Sequence, residues 1–126
     1  MELTEAQLEL LRGKNFAAVA TLREDGTPQT SIVWIDTDGE HVVFNTKNGR
    51  AKGKHLRRDP RVSVTVFDAQ DPYRYFEVEG IAKLELDGAA EHMHHMSRKY
   101  TDKEWDDVAD RVVVKVEPQR VFSYQV

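Results

Sequence analysis

FAAVATLREDGTPQTSIVWI, residues 16–35, is two β-length runs joined by a turn signal. Residues 16–22 and 28–35 are rich in apolar and β-branched side chains. Asp25-Gly26 between them is a dipeptide that tight hairpins favour, because glycine reaches positive φ without a Cβ clash. A second Asp-Gly, at 38–39, leads into HVVFNT at 41–46. Strand, turn, strand, turn, strand predicts an antiparallel meander.

Upstream of this stretch, Thr4 and Gln7 have the spacing of a capping box, and Leu3 and Leu8 that of a hydrophobic staple. A short helix is therefore expected from Thr4 to about Gly13. Downstream, residues 49–58 read as one short helix, stopped by Pro60. RVSVTVF (61–67) alternates Val62, Val64 and Val66 with polar residues, as a half-buried strand does. RYFEVEGIAKLEL (74–86) keeps its apolar phase across Gly80, a strand long enough to bend around a barrel at that glycine. Ala89, Met93, Met96 and Tyr100 lie at helical spacing, and Thr101 with Glu104 suggests a second capping box that opens a further helix through Trp105. Two strands, 111–117 and 120–126, are expected on either side of Pro118. Together these elements predict a single domain, 1–126, mainly β with small helices, and repeated short strands with turn signals suggest an antiparallel barrel.

The charge is distributed unevenly. The chain has a formal net charge of −4, yet residues 45–61 hold seven Lys or Arg against one acid, Asp59. That window is +6 and the remainder −10, so the positive charge is local and suited to a compact anionic ligand. Cysteine is absent. That excludes disulfides, a thiolate nucleophile and a Cys zinc site, and a reducing, cytoplasmic setting is expected. No apolar run approaches the roughly 20 residues of a membrane span, and the opening MELTEAQLELLRGK lacks the layout of a secretion signal.

Within the basic run, a strand end with Thr46, a loop with Gly49 and a helix start with Arg50 and Lys52 assemble three kinds of phosphate ligand. They are a hydroxyl, free backbone N–H groups and two cations. Arg50 and Lys52 converge only if both sit in or just before the first helical turn. A solvated basic helix is the plainer alternative. Nucleic acid binding would use the same run, but the acidic remainder opposes it. The strand 28–35 places Gln29, Ser31 and Val33 on one face and Ile32 and Trp34 on the other, an edge along which a flat ring could lie. EHMHHM (91–96) brings His92 and His95 three apart but lacks a metalloprotease pattern, so a metal is not expected. No serine lies in a nucleophile elbow, and no acid–base pair stands out.

In order along the chain, FAAVATLREDGTPQ, SIVW, FNTKNGRAK, LRRDPRVS and DPYRYFEVEG resemble the pyridoxamine 5′-phosphate oxidase-like flavin-binding split β-barrels. Within them, the likeness is closest to the actinobacterial-type deazaflavin-dependent oxidoreductases that use coenzyme F420. The resemblance implies a split, antiparallel Greek-key barrel and a homodimer with cofactor sites between the two chains. Arg50 and Lys52 would hold the cofactor phosphate with Thr46 and the backbone near Ala51. Ser31, Ile32, Val33 and Trp34 would line the ring, Asn45 would close the ring side, and Tyr73 and Tyr75 would reach in from the partner. The implied activity is hydride transfer from reduced F420 to a small unsaturated molecule, with FMN as the alternative cofactor and a non-catalytic F420 carrier as a third reading. Lys47, Lys54, Arg57 and Arg58 suit the longer polyanionic tail of F420. Pyridoxamine phosphate oxidases proper carry a C-terminal closing segment that does not follow Val126 here, which counts against that activity.

Overall fold

Alternation of valines with polar residues builds the sheet. In β5 (Arg61–Phe67) and β6 (Tyr75–Glu85) of the computed structural model, which describes residues 1–126, Val62, Val64, Val66, Phe76 and Val78 are buried while their neighbours are partly or fully exposed. Each such side chain contributes about 1.5–3 kcal/mol on leaving water. The other strands are β1 (Phe16–Leu22), β2 (Pro28–Trp34), β3 (Asp36–Thr37), β4 (Val42–Lys47) and β7 (Arg111–Tyr124). They form one antiparallel sheet in the order β2-β1-β5-β6-β7-β4-β3. β5, β6 and β7 are consecutive neighbours, and β4 returns to the far side of β7, a Greek-key arrangement. One interior cluster joins residues from β1, next to one end of this order, to Val42 and Phe44 of β4, next to the other, which a sheet achieves by curling into a half-barrel.

The three helices plug and flank this half-barrel. In α1 (Glu5–Arg12), the Thr4 hydroxyl accepts from the Gln7 amide at 3.2 Å, and the Gln7 side chain accepts from the Thr4 amide at 2.9 Å. The capping box thus forms as the sequence predicts, and Leu3 and Leu8 both enter the core. α2 (Ala51–Arg58) and α3 (Ala89–Thr101) follow the expected positions, with Leu56 of α2 and Met93, Met96 and Tyr100 of α3 buried.

Three expectations are corrected. The meander breaks after β2, which does not pair with β4. β4 has a run of three buried residues, Val42 to Phe44, and finds its second ladder on the valine-rich start of β7 rather than on half-exposed β2. At the break, Ile35 is fully buried, and its backbone is claimed by α3. The Ile35 amide donates to the Tyr100 hydroxyl at 3.1 Å, and the Ile35 carbonyl accepts from Lys99 Nζ at 2.7 Å. Lys99 also donates to the Leu11 carbonyl at 2.8 Å, and the Tyr100 hydroxyl donates to the Asn15 carbonyl. Burial pushes the Tyr100 phenol up to about 12, so it stays a donor.

Second, no helix starts at Thr101. That residue ends α3, its hydroxyl donating back to the Ser97 carbonyl at 2.7 Å, and Glu104 pairs with Arg98 at 2.6 Å instead of capping. Third, Pro118 does not divide two strands. β7 runs through it, because the register shifts there. Glu79 pairs with Arg120 and Gly80 with Pro118, leaving Gln119 as a bulge at which the ladder does not need the missing proline N–H. The bend at Gly80 appears as expected, and the reason is a close approach: a Cβ on Gly80 would lie 2.2 Å from the Glu117 carbonyl oxygen. Gly80→Ala is expected to destabilise the fold by about 2–3 kcal/mol, read as a lower urea midpoint at unchanged slope. A variant as stable as the parent would show that the bulge relaxes freely.

Candidate functional site

Because β2 and β4 separate after the break, a cleft of about 270 Å³ opens between them. Its walls are Ile32, Val33 and Trp34 of β2, Asn45 and Thr46 of β4, and Met93 and Met96 of α3, with Trp105, Arg50, Lys52 and Arg111 completing it. Trp34 is fixed from behind by stacking on Tyr100, with ring centroids 5.0 Å apart and planes 4° off parallel, and Trp105 meets it edge-on at 5.6 Å. The same Tyr100 that caps Ile35 therefore sets the aromatic wall.

The cationic end is built by α2. Gly53 lies so close to β4 that a Cβ would sit 2.6 Å from the Asn48 carbonyl oxygen. This packing turns the N-terminus of α2 toward the cleft. Arg50 is the N-cap residue and supplies no side-chain cap, so the first N–H groups of the helix are left to a ligand or solvent. Lys52, in the first turn, donates to the Ser31 hydroxyl at 3.1 Å. Burial, with the nearby Arg50 charge adding to it, pulls the Lys52 ammonium below the usual lysine range. Arg111 is likewise pulled down by burial, against the opposing pull of Asp107. A half-buried ammonium with only a hydroxyl for a partner gains from an incoming anion.

Of the residues singled out from the sequence, the structure brings Ile32, Val33, Trp34, Asn45, Thr46, Arg50 and Lys52 into one cleft. Ser31 stands behind them, holding Lys52, and Ala51 begins α2 and is exposed. Tyr73 and Tyr75 are elsewhere in this chain. Tyr73 is exposed on the loop before β6, and Tyr75 stacks on Tyr124 at the end of β7 opposite Arg111. Of the four cations expected to serve a longer tail, three already have protein partners. Lys47 pairs with Asp107 at 2.6 Å, Arg58 donates to the Leu22 carbonyl at 2.7 Å, and Arg57 donates to the Asn48 carbonyl at 2.7 Å.

Trp105 and Arg111 were not anticipated. Arg111 reaches the cleft because it faces Lys47 across the β4–β7 ladder, a pairing that no local pattern reveals. Met93 and Met96, set at helical spacing along α3, are buried and form part of the cleft wall.

The histidines of α3 divide their roles. His95 bonds Asp36 at 2.9 Å and His94 lies 2.6 Å from Glu104, while His92 faces inward. Asn45 Nδ2 donates to the Ala89 carbonyl at 3.0 Å and to His92 Nδ1 at 3.1 Å. That leaves Asn45 Oδ1 and His92 Nε2 buried without partners, together with the indole nitrogen of Trp105. Asn45 and Trp105 both line the cleft, where a ligand with its own donors and acceptors would supply the missing partners.

The sequence profile described as pyridoxamine 5′-phosphate oxidase matches residues 3–125. This chain belongs to that family. Among solved structures, an F420 reductase is 31% identical, covering 95% of this chain and 98% of its own, with a TM-score of 0.83. A conserved hypothetical protein from Mycobacterium tuberculosis is 25% identical, covering 97% and 84%, with a TM-score of 0.77. General Stress Protein 26 from Bacillus anthracis, 20% identical over 95% and 92% with a TM-score of 0.75, shares the fold. The half-barrel with its Greek key is thus the split-barrel fold of this family, as the sequence resemblance implied.

His92 gives the site a pH signature. Burial pulls its imidazole below the usual histidine range, reinforced by His95, Lys115 and Lys99 and opposed by Asp36. The unfolded chain therefore binds this proton more readily, so stability present above about pH 6.5 is lost as pH falls through that value toward the lower folded pKa. His55 is shifted in the same direction by burial. Unfolding free energy should decline between about pH 7 and 5.5, a window above the carboxylates, and His92→Gln should flatten that slope. A slope unchanged by His92→Gln would remove His92 as its source.

Proposed function

We propose that this chain is an oxidoreductase that binds F420 in the cleft and passes a hydride from the reduced deazaflavin to a small unsaturated molecule such as an enone or a quinone. The observation that carries this reading is an aromatic and methionine-lined cleft ending in Arg50, Lys52 and the uncapped start of α2. The likeness to an F420 reductase over nearly the whole chain supports it.

The residues fit such a group. Thr46, Arg50, Lys52 and the α2 amides would hold a phosphate, Trp34 and Val33 would support a flat ring, and Asn45 Oδ1 offers an acceptor to a ring N–H. When bound, the reduced ring supplies the hydride and the protein supplies orientation and a partly dry wall. Met93 and Met96 exclude water from one side of the cleft, and Tyr100 keeps Trp34 from rotating away. Nothing in this chain stands out as an acid for the substrate, so any proton would come from solvent or from Tyr73 of a second copy.

That second copy is part of the proposal. Tyr73, Phe122 and Tyr124 are 76%, 58% and 46% exposed, an apolar surface suited to a homodimer that would bring Tyr73 and Tyr75 toward the partner's cleft. A second reading has FMN in place of F420. It is favoured by Lys47, Arg57 and Arg58 being engaged within the protein, which suits a ligand with a single phosphate. A carrier that binds F420 without turnover is the third outcome of the same experiment.

Titrating the ligand-free protein with F420 and FMN in parallel, followed by fluorescence and then by turnover with a panel of acceptors, separates the three. Arg50→Ala with Lys52→Ala should weaken binding of the preferred cofactor by about 3 kcal/mol or more, since hydrogen bonds to charged groups contribute about 1.5–3 kcal/mol each. Unaltered affinity in the double variant would place the phosphate elsewhere.

A further inference from the structure

Residues 102–110 join α3 to β7, and residues 103–109 make no backbone-to-backbone hydrogen bond. Side chains hold the segment instead. Asp107 pairs with Lys47 at 2.6 Å, its carbonyl accepts from Arg111 Nε at 3.3 Å, and Glu104 pairs with Arg98. Two residues apart on this segment, Trp105 lines the cleft edge-on to Trp34, and Asp107 lies beside the cleft, paired with Lys47 and within the influence of Arg111 and Arg50, which border it. The hydrogen bond from Lys47, with the charges of Lys47, Arg111 and Arg50, holds the Asp107 carboxyl below its usual range, so it is an anion wherever the protein is folded near neutrality.

An aromatic ring against Trp34 and an anion among Lys47, Arg50 and Arg111 are the two things that a phosphorylated ring cofactor would place here. The cleft, at about 270 Å³ with Trp105 in place, lies just under the range of about 300–1,000 Å³ usual for ligand pockets. Trp105 also borders a second hollow of about 420 Å³, lined by Ser97, Thr101 and Glu104, so there is room beside the indole for it to move.

We propose that Trp105 and Asp107 are a built-in competitor for the cofactor site, so that occupancy selects ligands carrying a ring and an anionic group together. This rests on the cofactor site proposed above. A ring alone must expel Trp105 and carries no anion to exchange for Asp107, so it gains nothing from Lys47 and Arg111. A phosphate alone releases Lys47 and Arg111 without filling the aromatic wall. A ligand with both displaces both holds at once and frees two cations to face its phosphate.

The test compares FMN, F420 and riboflavin on the full chain and two variants by fluorescence titration. Asp107→Asn, an exposed isosteric change, should tighten FMN and F420 by about two- to fivefold, the scale of one partly exposed ion pair, and leave riboflavin unchanged. Trp105→Ala should tighten all three, with circular dichroism confirming the fold. Unchanged or weaker FMN and F420 binding in both variants, or equal tightening of riboflavin in Asp107→Asn, overturns the competitor while leaving the site itself intact. Failure of FMN and F420 to bind parent and variants alike removes the site, and the competitor with it.

Discussion

The capture of the Ile35 backbone by Tyr100 and Lys99 is the interaction on which the architecture rests. A sheet that stops pairing in its interior leaves a buried amide and carbonyl with nothing to bond, and such groups are costly unless satisfied. Here a phenol held un-ionised by burial and a lysine whose ammonium reaches two carbonyls take the place of a neighbouring strand. β2 can then end as a half-exposed edge, and β4 is free to pair with β7. The opening between them exists because α3 supplies what the ladder does not.

The site inherits its order from that junction. Trp34, the residue just before the break, stacks on the ring whose hydroxyl caps the break, so the aromatic wall and the fold share one side chain. At the other end, the approach of Gly53 to Asn48 aims a helix start at the cleft, where Asp107 is the acid among the nearby cations. Lys52, half-buried and bonded only to Ser31, lacks a counter-charge.

Much of this was legible in the residues because it is local. A capping box, Asp-Gly turns, period-two valines and a glycine in the middle of a long strand each state their geometry within a few positions, and α1, the first hairpin, β5 and the Gly80 bend stand where they were expected. The cluster from Ile32 to Lys52 followed from the same local signals together with the family resemblance. What escaped was non-local. Nothing within 41–46 says that its partner is 111–116, so the meander was misjudged and Arg111 was not seen opposite Lys47. Pro118 looked like a strand end because the register shift that accommodates it is a property of two strands. Thr101 and Glu104 matched a cap motif, but each had a better partner in α3.

The pairing of β4 with β7 also bears on how the chain acquires its shape during synthesis. The hairpin of β1 and β2 closes over a handful of residues, whereas Val42 meets Val116 only after β5, β6 and α3 have been made. Contacts between such distant positions are entropically slow to form, and proteins dominated by them sit at the sluggish end of the folding-rate range. Until β7 arrives, the apolar strand VVF at 42–44 has its long edge uncovered. The charged run that immediately follows it is the kind of flank that disfavours edge-to-edge association of such a strand.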